Sequence, residues 1–280
     1  MTVSGNDFWA SIDAIIVVNL DRRADRWADM QEHLQSVAPM AKVHRLSAVL
    51  GADLPGYGSS RWFRRTRRAG TWGGRAGCIL SHRNALRLAR SSGWQRILIL
   101  EDDARLSPEL NGPAGQKLAG YLTAENRPGV CYLGYTSPRG PARLLGTLDA
   151  DHALYALRGA STTHAYIVDA ALYHPLLDLL PQTDAGIWSW VARHTAIDRW
   201  YSLALTRMTT VAAVSPQLAL QAPSLSDITA RESSYVESGK GNELASLQGG
   251  SFTGMLAAAS DCLSAIPRNL KYLLRCFRGF

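Results

Sequence analysis

Short apolar runs alternate with stretches of helical periodicity in the first third of the chain. The runs at residues 15–18 and 97–100 are too short for helices and suit strands buried on both faces of a parallel sheet. Between them, apolar residues recur at helical spacing over residues 27–37, and Pro39 ends that pattern. Strand, helix and strand in this order predict an α/β fold.

The same patterns divide the rest of the chain. Gly73, Gly74 and Gly77 open a helix predicted to run through Arg90, so that Ser81 and His82 fall in its first turns. Free N–H groups at a helix start attract anions. Residues 144–152 read as a hairpin or a loop. Further strands are predicted over residues 42–49, 131–135, 154–157, 161–168 and 209–214, and a further helix over residues 170–180.

Three carboxylates, Glu101, Asp102 and Asp103, follow directly on the apolar run 97–100. Ligands of open α/β sheets bind beyond the carboxyl ends of the strands. In an extended chain Glu101 and Asp103 point to one side and Asp102 to the other. Like charges on one side repel unless a cation lies between them, and oxygen ligands suit Mg²⁺ or Mn²⁺. The triplet therefore predicts a metal or substrate site, the alternative being a solvated cap of the next turn.

Basic and aromatic side chains supply further candidates. The turn after the first strand carries Arg22 and Arg23, which either meet a diphosphate or lie on a solvated helix face. The loop 51–70 is either a lid near an anionic ligand or a solvated loop. Tryptophans near residue 190 suit sugar stacking, although a core role is more common. The loop arginines are Arg61, Arg64, Arg65, Arg67 and Arg68, and the tryptophans are Trp188, Trp190 and Trp200.

Composition indicates which kinds of partner the protein binds and how the chain is divided into domains. The 280 residues carry a formal charge of +7, which favours anionic partners. No apolar run approaches the length of a membrane span, and the four cysteines form no CxxC pair, as expected for reduced thiols in the cytoplasm. We expect one domain over residues 1–223, a flexible Ser/Gly/Glu-rich linker over residues 224–250, and a basic helical tail over residues 251–280.

The tail has two faces at helical spacing. A basic amphipathic helix of this kind suits an anionic membrane surface at the inner face of the membrane, and the alternative is packing on the protein's own core. The apolar face holds Leu270, Leu273, Leu274 and Phe277, and the basic face holds Arg268, Lys271, Arg275 and Arg278.

Three motifs in a fixed order carry a family resemblance. They are Val-Asn-Leu-Asp-Arg-Arg at residues 18–23, Gly-Cys-Ile-Leu-Ser-His at residues 77–82, and Leu-Ile-Leu-Glu-Asp-Asp-Ala at residues 98–104. Together they resemble glycosyltransferase family 25, which includes bacterial lipooligosaccharide galactosyltransferases and the galactosyltransferases that modify collagen. Weaker matches at residues 132–135, 163–168, 197–198 and 221–228 extend the resemblance over roughly residues 12–230.

The resemblance implies a fold and a reaction. The fold is a GT-A-like, Rossmann-type mixed sheet flanked by helices. The reaction is the transfer of a hexose, galactose or glucose, from a UDP-sugar with inversion, to a saccharide or glycolipid such as lipopolysaccharide. No nucleic-acid partner is expected.

The resemblance also implies site residues. The predicted base is Asp198, with Asp184 second, and His194 precedes Asp198 where other GT-A enzymes often have a metal-binding His after it. Mn²⁺ or Mg²⁺ would be held by Asp103 with Asp102 or Glu101. The predicted donor-binding residues are Asn19, Asp21, Arg22, Arg23, Gly77, Ser81, His82, Glu101 and Asp102.

Two other classes of protein fit part of the sequence. A phosphatase of the haloacid type also places Asp-x-Asp after a strand, but it normally has Thr or Val soon afterwards, where this chain has Ala104, Arg105 and Leu106. A basic scaffold that binds membranes or nucleic acid accounts for the charge but not for the acidic triplet.

Overall fold

A computed structural model describes residues 7–59, 62, 69–222, 224–225, 232–233 and 243–247, together with the single positions 259, 263, 266, 270 and 273. Its centre is an eight-stranded mixed sheet, and we number strands and helices in chain order. From one edge to the other the strands are β2 (Val43–Ser47), β1 (Ala14–Asn19), β3 (Arg96–Glu101), β10 (Ala165–Asp169), β5 (Val130–Gly134), β11 (Val211–Ser215), β8 (Ala153–Ala156) and β7 (Arg143–Thr147).

Short strand pairs and helices surround this sheet. The pairs are β4 (Ala104–Leu106) with β12 (Ala219–Gln221), β6 (Ser137–Arg139) with β9 (Gly159–Ser161), and β13 (Ser224–Leu225) with β14 (Glu232–Ser233). The helices are α1 (Ala24–Val37), α2 (Ala69–Ser91), α3 (Pro113–Thr123), α4 (Tyr173–Leu179), α5 (Ile187–His194), α6 (Ile197–Ala204) and α7 (Glu243–Ser246).

The apolar strands are buried because helices cover both faces of the sheet. Side chains alternate between the faces of a strand. In β1, Ile16 packs in the cluster that contains residues of α2, α4, α5 and α6, whereas Ile15 packs in the cluster that contains residues of α1 and α3. In β3, Ile99 belongs to the α2 side. Glu101, two residues further on, is thereby directed toward α2.

Strand directions place several chain ends at one edge of the sheet. Strands β1, β2 and β3 are parallel, while β10 runs antiparallel between β3 and β5. The carboxyl ends of β1 and β3 therefore lie at the same edge as the start of β10. A backbone hydrogen bond from Glu101 N to His164 O, 2.9 Å long, joins β3 to the residue that precedes β10.

The α/β class and the mixed sheet flanked by helices are confirmed, and residues 144–152 belong to a hairpin in which β7 pairs with β8. Two boundaries were wrong. The predicted strand 161–168 is divided between β9 and β10, and residues 162–164 connect them. Helix α2 starts at Ala69, so Gly73, Gly74 and Gly77 lie inside it and Ser81 and His82 are far from its first turn.

The glycines of α2 permit close packing instead of exposing free N–H groups. A Cβ atom on Gly77 would overlap the carbonyl oxygen of Val49, and a Cβ atom on Gly51 would overlap the carbonyl oxygen of Gly73. Ser81 strengthens the same contact, because its hydroxyl accepts a 2.8 Å hydrogen bond from Val49 N and donates one of 2.7 Å to Gly77 O. The segment 48–52 is thus pressed against α2.

The C-terminal third is only partly described. Within the predicted linker, Leu244 of α7 is buried in the core, and Leu247 O accepts a 2.7 Å hydrogen bond from Ala142 N. That part of the segment packs on the domain. Most of the predicted tail and the loop arginines lie outside the described residues. The described tail positions are helical, and Leu263, Ile266, Leu270 and Leu273 are exposed.

Among the described residues, no helix combines the length and the apolar character needed to cross a membrane.

The close contact between Gly51 and α2 predicts that Gly51→Ala destabilises the protein. The added methyl group must displace backbone, which typically costs about 1–3 kcal/mol. Gly120→Ala in α3 is the matched control, because a Cβ atom there meets nothing within 4 Å. Alanine in a helix should stabilise by up to about 1 kcal/mol relative to glycine. Urea unfolding of both variants measures this contrast, and equal effects would contradict the packing argument.

Candidate functional site

A cavity of about 570 Å³ opens beyond the carboxyl ends of β1 and β3. Its size lies in the range of small-ligand sites. One wall is the segment 48–52 with the glycine-containing part of α2, and the floor holds the acidic triplet. Other lining residues include Arg22, Arg26, Thr162, Thr163, Asp198 and Gln221.

Asp102 is held by the neighbouring elements. Its carboxylate accepts a 2.8 Å hydrogen bond from Asn19 Nδ2 and a 2.7 Å charge-assisted bond from Arg26 Nη1 of α1. All three side chains are largely or wholly buried. The charge of Asp102 is therefore neutralised inside the protein, and this carboxylate is a poor choice for a metal ligand. The predicted alternation of the triplet holds only in part, because the chain turns at residues 102–103.

Asp103 lies in a less favourable electrostatic environment. Burial and the repulsion of Glu101 raise the pKa of Asp103 to about 6, against the attraction of Arg26. Its Oδ2 atom accepts a 3.2 Å hydrogen bond from Gln221 Nε2 and lies 3.8 Å from Arg26 Nη1. A cation near this carboxylate would relieve the repulsion that raises the pKa.

Glu101 has the opposite tendency. Burial favours its neutral form, but a hydrogen bond and the field of His82, with the field of His164 and the Thr163 hydroxyl, hold the pKa of Glu101 below its ordinary value. His82 Nε2 lies 3.5 Å from Glu101 Oε1, and Thr163 Oγ1 donates to the same oxygen at 3.2 Å. Glu101 is thus an ionised carboxylate beside a carboxylic acid that is easily protonated.

Behind Glu101, buried polar groups form a supporting chain. His82 Nδ1 lies 2.8 Å from the Tyr166 hydroxyl, and that hydroxyl lies 3.5 Å from the hydroxyl of Tyr201. The partner on Nδ1 fixes the orientation of the imidazole ring, so that Nε2 points to Glu101 and to Thr163 Oγ1 at 3.4 Å. His82 therefore supports a pocket residue from the core.

Cys78, His82 and Glu101 bring their ligand atoms within 4.8 Å of one another, which makes them the one group of three such ligands found among the described residues. Burial raises the pKa of the Cys78 thiol well above its usual range, so the thiol keeps its proton unless a metal displaces it. The Thr163 hydroxyl already bonds to this group. Hydrogen bonding accounts for the cluster without a metal.

Asp198 reaches the cavity from the first turn of α6. Its Oδ1 atom accepts a 2.7 Å hydrogen bond from Arg199 N, and its Oδ2 atom accepts one of 3.3 Å from Thr162 N. Two residues with positive φ angles flank this contact, Thr162 at 64° and Thr195 at 76°. Such angles are unusual for a β-branched residue and are often found at functional sites.

The cavity collects most of the predicted site residues. Those that line it are Arg22, Gly77, Ser81, His82, Glu101, Asp102, Asp103 and Asp198. Asn19 is just behind the wall, where it bonds to Asp102. Asp21 and Arg23 do not line it, because Asp21 bonds to Arg45 and Ser47 and Arg23 bonds to Asp25.

Asp184 and His194 do not reach the cavity. Asp184 forms a 2.9 Å ion pair with Arg83 and lies outside the lining, so it is not a candidate base for chemistry there. Burial, with the charge of Arg193, lowers the pKa of His194 to about 4, and its ring packs 4.7 Å from that of Trp190. Trp188 and Trp200 are core residues, and neither they nor Trp190 line the cavity.

Sequence reasoning gave no site role to Thr162, to the wall 48–52 or to Thr163, although Thr163 begins the weak family match at residues 163–168. The two threonines lie where one apolar stretch was interpreted as a single strand, and nothing in the hydrophobic pattern marks the break. The wall follows a strand but carries no charged or nucleophilic side chain, only backbone polar groups, so it offers no chemical signal.

The family model described as "Glycosyltransferase family 25 (LPS biosynthesis protein)" matches residues 12–124. That region contains β1, α2, β3 and the acidic triplet. No curated protein matches the chain. A solved structure, the crystal structure of mannose-1-phosphate geranyltransferase from Thermus thermophilus, matches with 14% identity and a TM-score of 0.36 over 73% of each chain. The family predicted from the three motifs is confirmed over the matched residues.

Proposed function

We propose that this chain, which matches the model of glycosyltransferase family 25 over residues 12–124, transfers a hexose from a UDP-sugar to a saccharide or glycolipid acceptor in lipopolysaccharide biosynthesis. The observation that carries the proposal is the convergence of Glu101, Asp103 and Asp198 on one cavity at the carboxyl edge of a mixed sheet. A GT-A-like enzyme of this kind needs one set of carboxylates that acts on the donor and another carboxylate that acts on the acceptor.

Inversion requires a single displacement. The acceptor hydroxyl oxygen forms a bond to C1 of the sugar, and the C1–O bond to the β-phosphate breaks with its electron pair left on UDP. The hydroxyl proton passes to a base in the cavity. Asp198 is the candidate, because its carboxylate is anchored by two backbone N–H groups and faces the same cavity as the acidic triplet.

The residues present fit a divalent cation. Asp103 and Glu101 are oxygen ligands in one cavity, and burial together with the repulsion of Glu101 raises the pKa of Asp103. These two, and not the ion-paired Asp102, would hold Mn²⁺ or Mg²⁺. Such a cation, when bound, neutralises the diphosphate and the leaving nucleotide. Arg22 and Arg26 line the cavity as further cations for the phosphates.

The proposed base predicts that Asp198→Asn loses transfer and keeps nucleotide binding. The amide cannot take the acceptor proton, so turnover should fall by roughly 10² or more. Transfer and UDP affinity are measured side by side. A variant that loses UDP affinity but keeps its turnover at saturating donor would make Asp198 a donor ligand. Parent protein that releases no UDP from any UDP-sugar would end the proposed function.

The environment of Asp103 predicts that Asp103→Asn raises the stability of the metal-free protein and lowers its UDP affinity in the presence of metal. The carboxyl has a raised pKa of about 6 in the folded protein against an ordinary 3.8, so folded protein binds more protons and loses stability as the pH rises from about 4 to 6. The amide of the variant does not titrate, so the variant does not lose stability in this way. Above pH 6 and with chelator present, the variant should be more stable than the parent. With Mn²⁺ present, its UDP affinity should be weaker than that of the parent.

Measuring UDP affinity with and without metal, in parent and variant, separates these effects. Parent protein whose affinity and rate ignore Mn²⁺, Mg²⁺ and chelator would remove the metal from the proposal. Denaturant unfolding at pH 4 and pH 7 gives the stability difference, and a difference independent of pH would contradict the raised pKa.

We also propose that the tail holds the enzyme at the inner face of an anionic membrane, where glycolipid acceptors lie. Leu263, Ile266, Leu270 and Leu273 are helical positions at alternating spacings of three and four, and each is about half exposed or more. Arg268, Lys271, Arg275 and Arg278 supply positive charge in the same stretch. An apolar face with basic flanks is the pattern that binds anionic bilayers.

Replacing Leu270 and Leu273 together by Ser should reduce sedimentation with phosphatidylglycerol vesicles while donor hydrolysis stays near the parent rate. Apolar contact drives insertion, and the cavity is built from other residues. Arg275→Gln with Arg278→Gln tests the charge and should matter only for anionic vesicles. Unchanged vesicle binding in both variants would exclude the membrane role.

A further inference from the structure

Three residues between β9 and β10 form a segment that contacts both Asp198 and Glu101. We call Thr162, Thr163 and His164 the bridging loop. Thr162 N donates to Asp198 Oδ2 at 3.3 Å, and Thr163 Oγ1 donates to Glu101 Oε1 at 3.2 Å. The carboxylate proposed to face the acceptor and the carboxylate that faces the donor are therefore held by neighbouring residues.

The bridging loop is fixed at its far end. His164 O accepts the backbone hydrogen bond of Glu101 N at 2.9 Å, and His164 Nδ1 lies 3.0 Å from Thr162 Oγ1. The His164 ring is buried against Gly134, where an added Cβ atom would overlap its Nε2 atom. The loop thus has little room to shift relative to β3.

The backbone conformation of Thr162 is energetically unfavourable. Its φ angle of 64° lies in the left-handed region, which β-branched residues rarely adopt. Residues persist in such conformations where the surrounding structure determines them, often at functional sites. Here the conformation belongs to the residue whose N–H group reaches Asp198, and the next residue in the chain reaches Glu101.

We propose that Thr162 and Thr163 are positioning residues of this site, Thr162 for Asp198 through its backbone N–H and Thr163 for Glu101 through its hydroxyl. This inference rests on the proposed transfer reaction. The two threonines set the separation of the two carboxylates, because one peptide unit joins their contacts. Each should therefore affect a different kinetic parameter.

Thr163→Val keeps the shape of the side chain and removes the hydroxyl. We expect the KM for the UDP-sugar to rise about tenfold with a smaller change in kcat, because Glu101 loses its fixed orientation toward the donor. Thr163→Ser keeps the hydroxyl and should restore most of the affinity. Thr123→Val is the matched control, since the Thr123 hydroxyl bonds only to carbonyl oxygens of α3.

Thr162→Gly keeps the N–H group and frees the backbone from its positive φ angle. We expect kcat for transfer to fall about tenfold while the KM for the donor stays near that of the parent, because Asp198 loses a fixed partner. Asparagine tolerates this conformation, so the kcat of Thr162→Asn should lie between the values of the parent and of Thr162→Gly. Equal changes of KM and kcat in the Thr162 and Thr163 variants, or no change in either, would overturn the proposal.

A second measurement does not depend on activity. The amide proton of Thr162 should exchange slowly in the parent, and its protection should drop in Asp198→Ala while that of β3 amides is kept. Unaltered protection of Thr162 would show that Asp198 does not accept from it and would overturn the inference. A parent protein with normal protection but no transfer from any UDP-sugar would instead refute the proposed reaction.

Discussion

The buried contact of Asp102 with Arg26 and Asn19 determines how the site is arranged. It joins the end of β3 to α1 and to the end of β1. Breaking such a pair by removing one partner leaves an uncompensated buried charge, at a typical cost of about 3–5 kcal/mol. With Asp102 fixed in this way, its neighbours on both sides face the cavity. The middle carboxylate of the triplet is therefore bound to protein groups, and the outer two are the carboxylates that we propose for ligands.

The two outer carboxylates show how position alters one functional group. Glu101 ends a strand on the side of α2, where His82 and Thr163 stabilise its charge. Asp103 lies in the turn that follows β3, where burial and the repulsion of Glu101 outweigh the attraction of Arg26. Environments that push the pKa values of two neighbouring acids apart are a common way of giving them different roles.

Much of this could be predicted from sequence, and the limits have physical causes. The runs 15–18 and 97–100 predicted strands correctly because burial on both faces leaves a continuous apolar signal. The start of α2 was wrong because glycine normally opposes helix, and here the contact with Val49 and Gly51 outweighs that preference. Asp184 was the second choice of base after Asp198, and only the fold shows that Asp184 pairs with Arg83 outside the cavity lining. Thr162 could not be found, since a backbone N–H group has no sequence signature.

The wall 48–52 is made of Ala, Val, Leu, Gly and Ala, and it is pressed against glycines of α2 with no space for a single methyl group. It cannot retreat from a ligand without opening that contact, and it offers no formal charge. This wall can therefore recognise a ligand only by its shape and by hydrogen bonds to backbone groups. Salt weakens the long-range attraction that brings a charged ligand to the cavity, and it leaves contacts along this uncharged wall almost unaffected. The dependence of ligand affinity on ionic strength therefore separates the contribution of charge from the contribution of contacts along the wall.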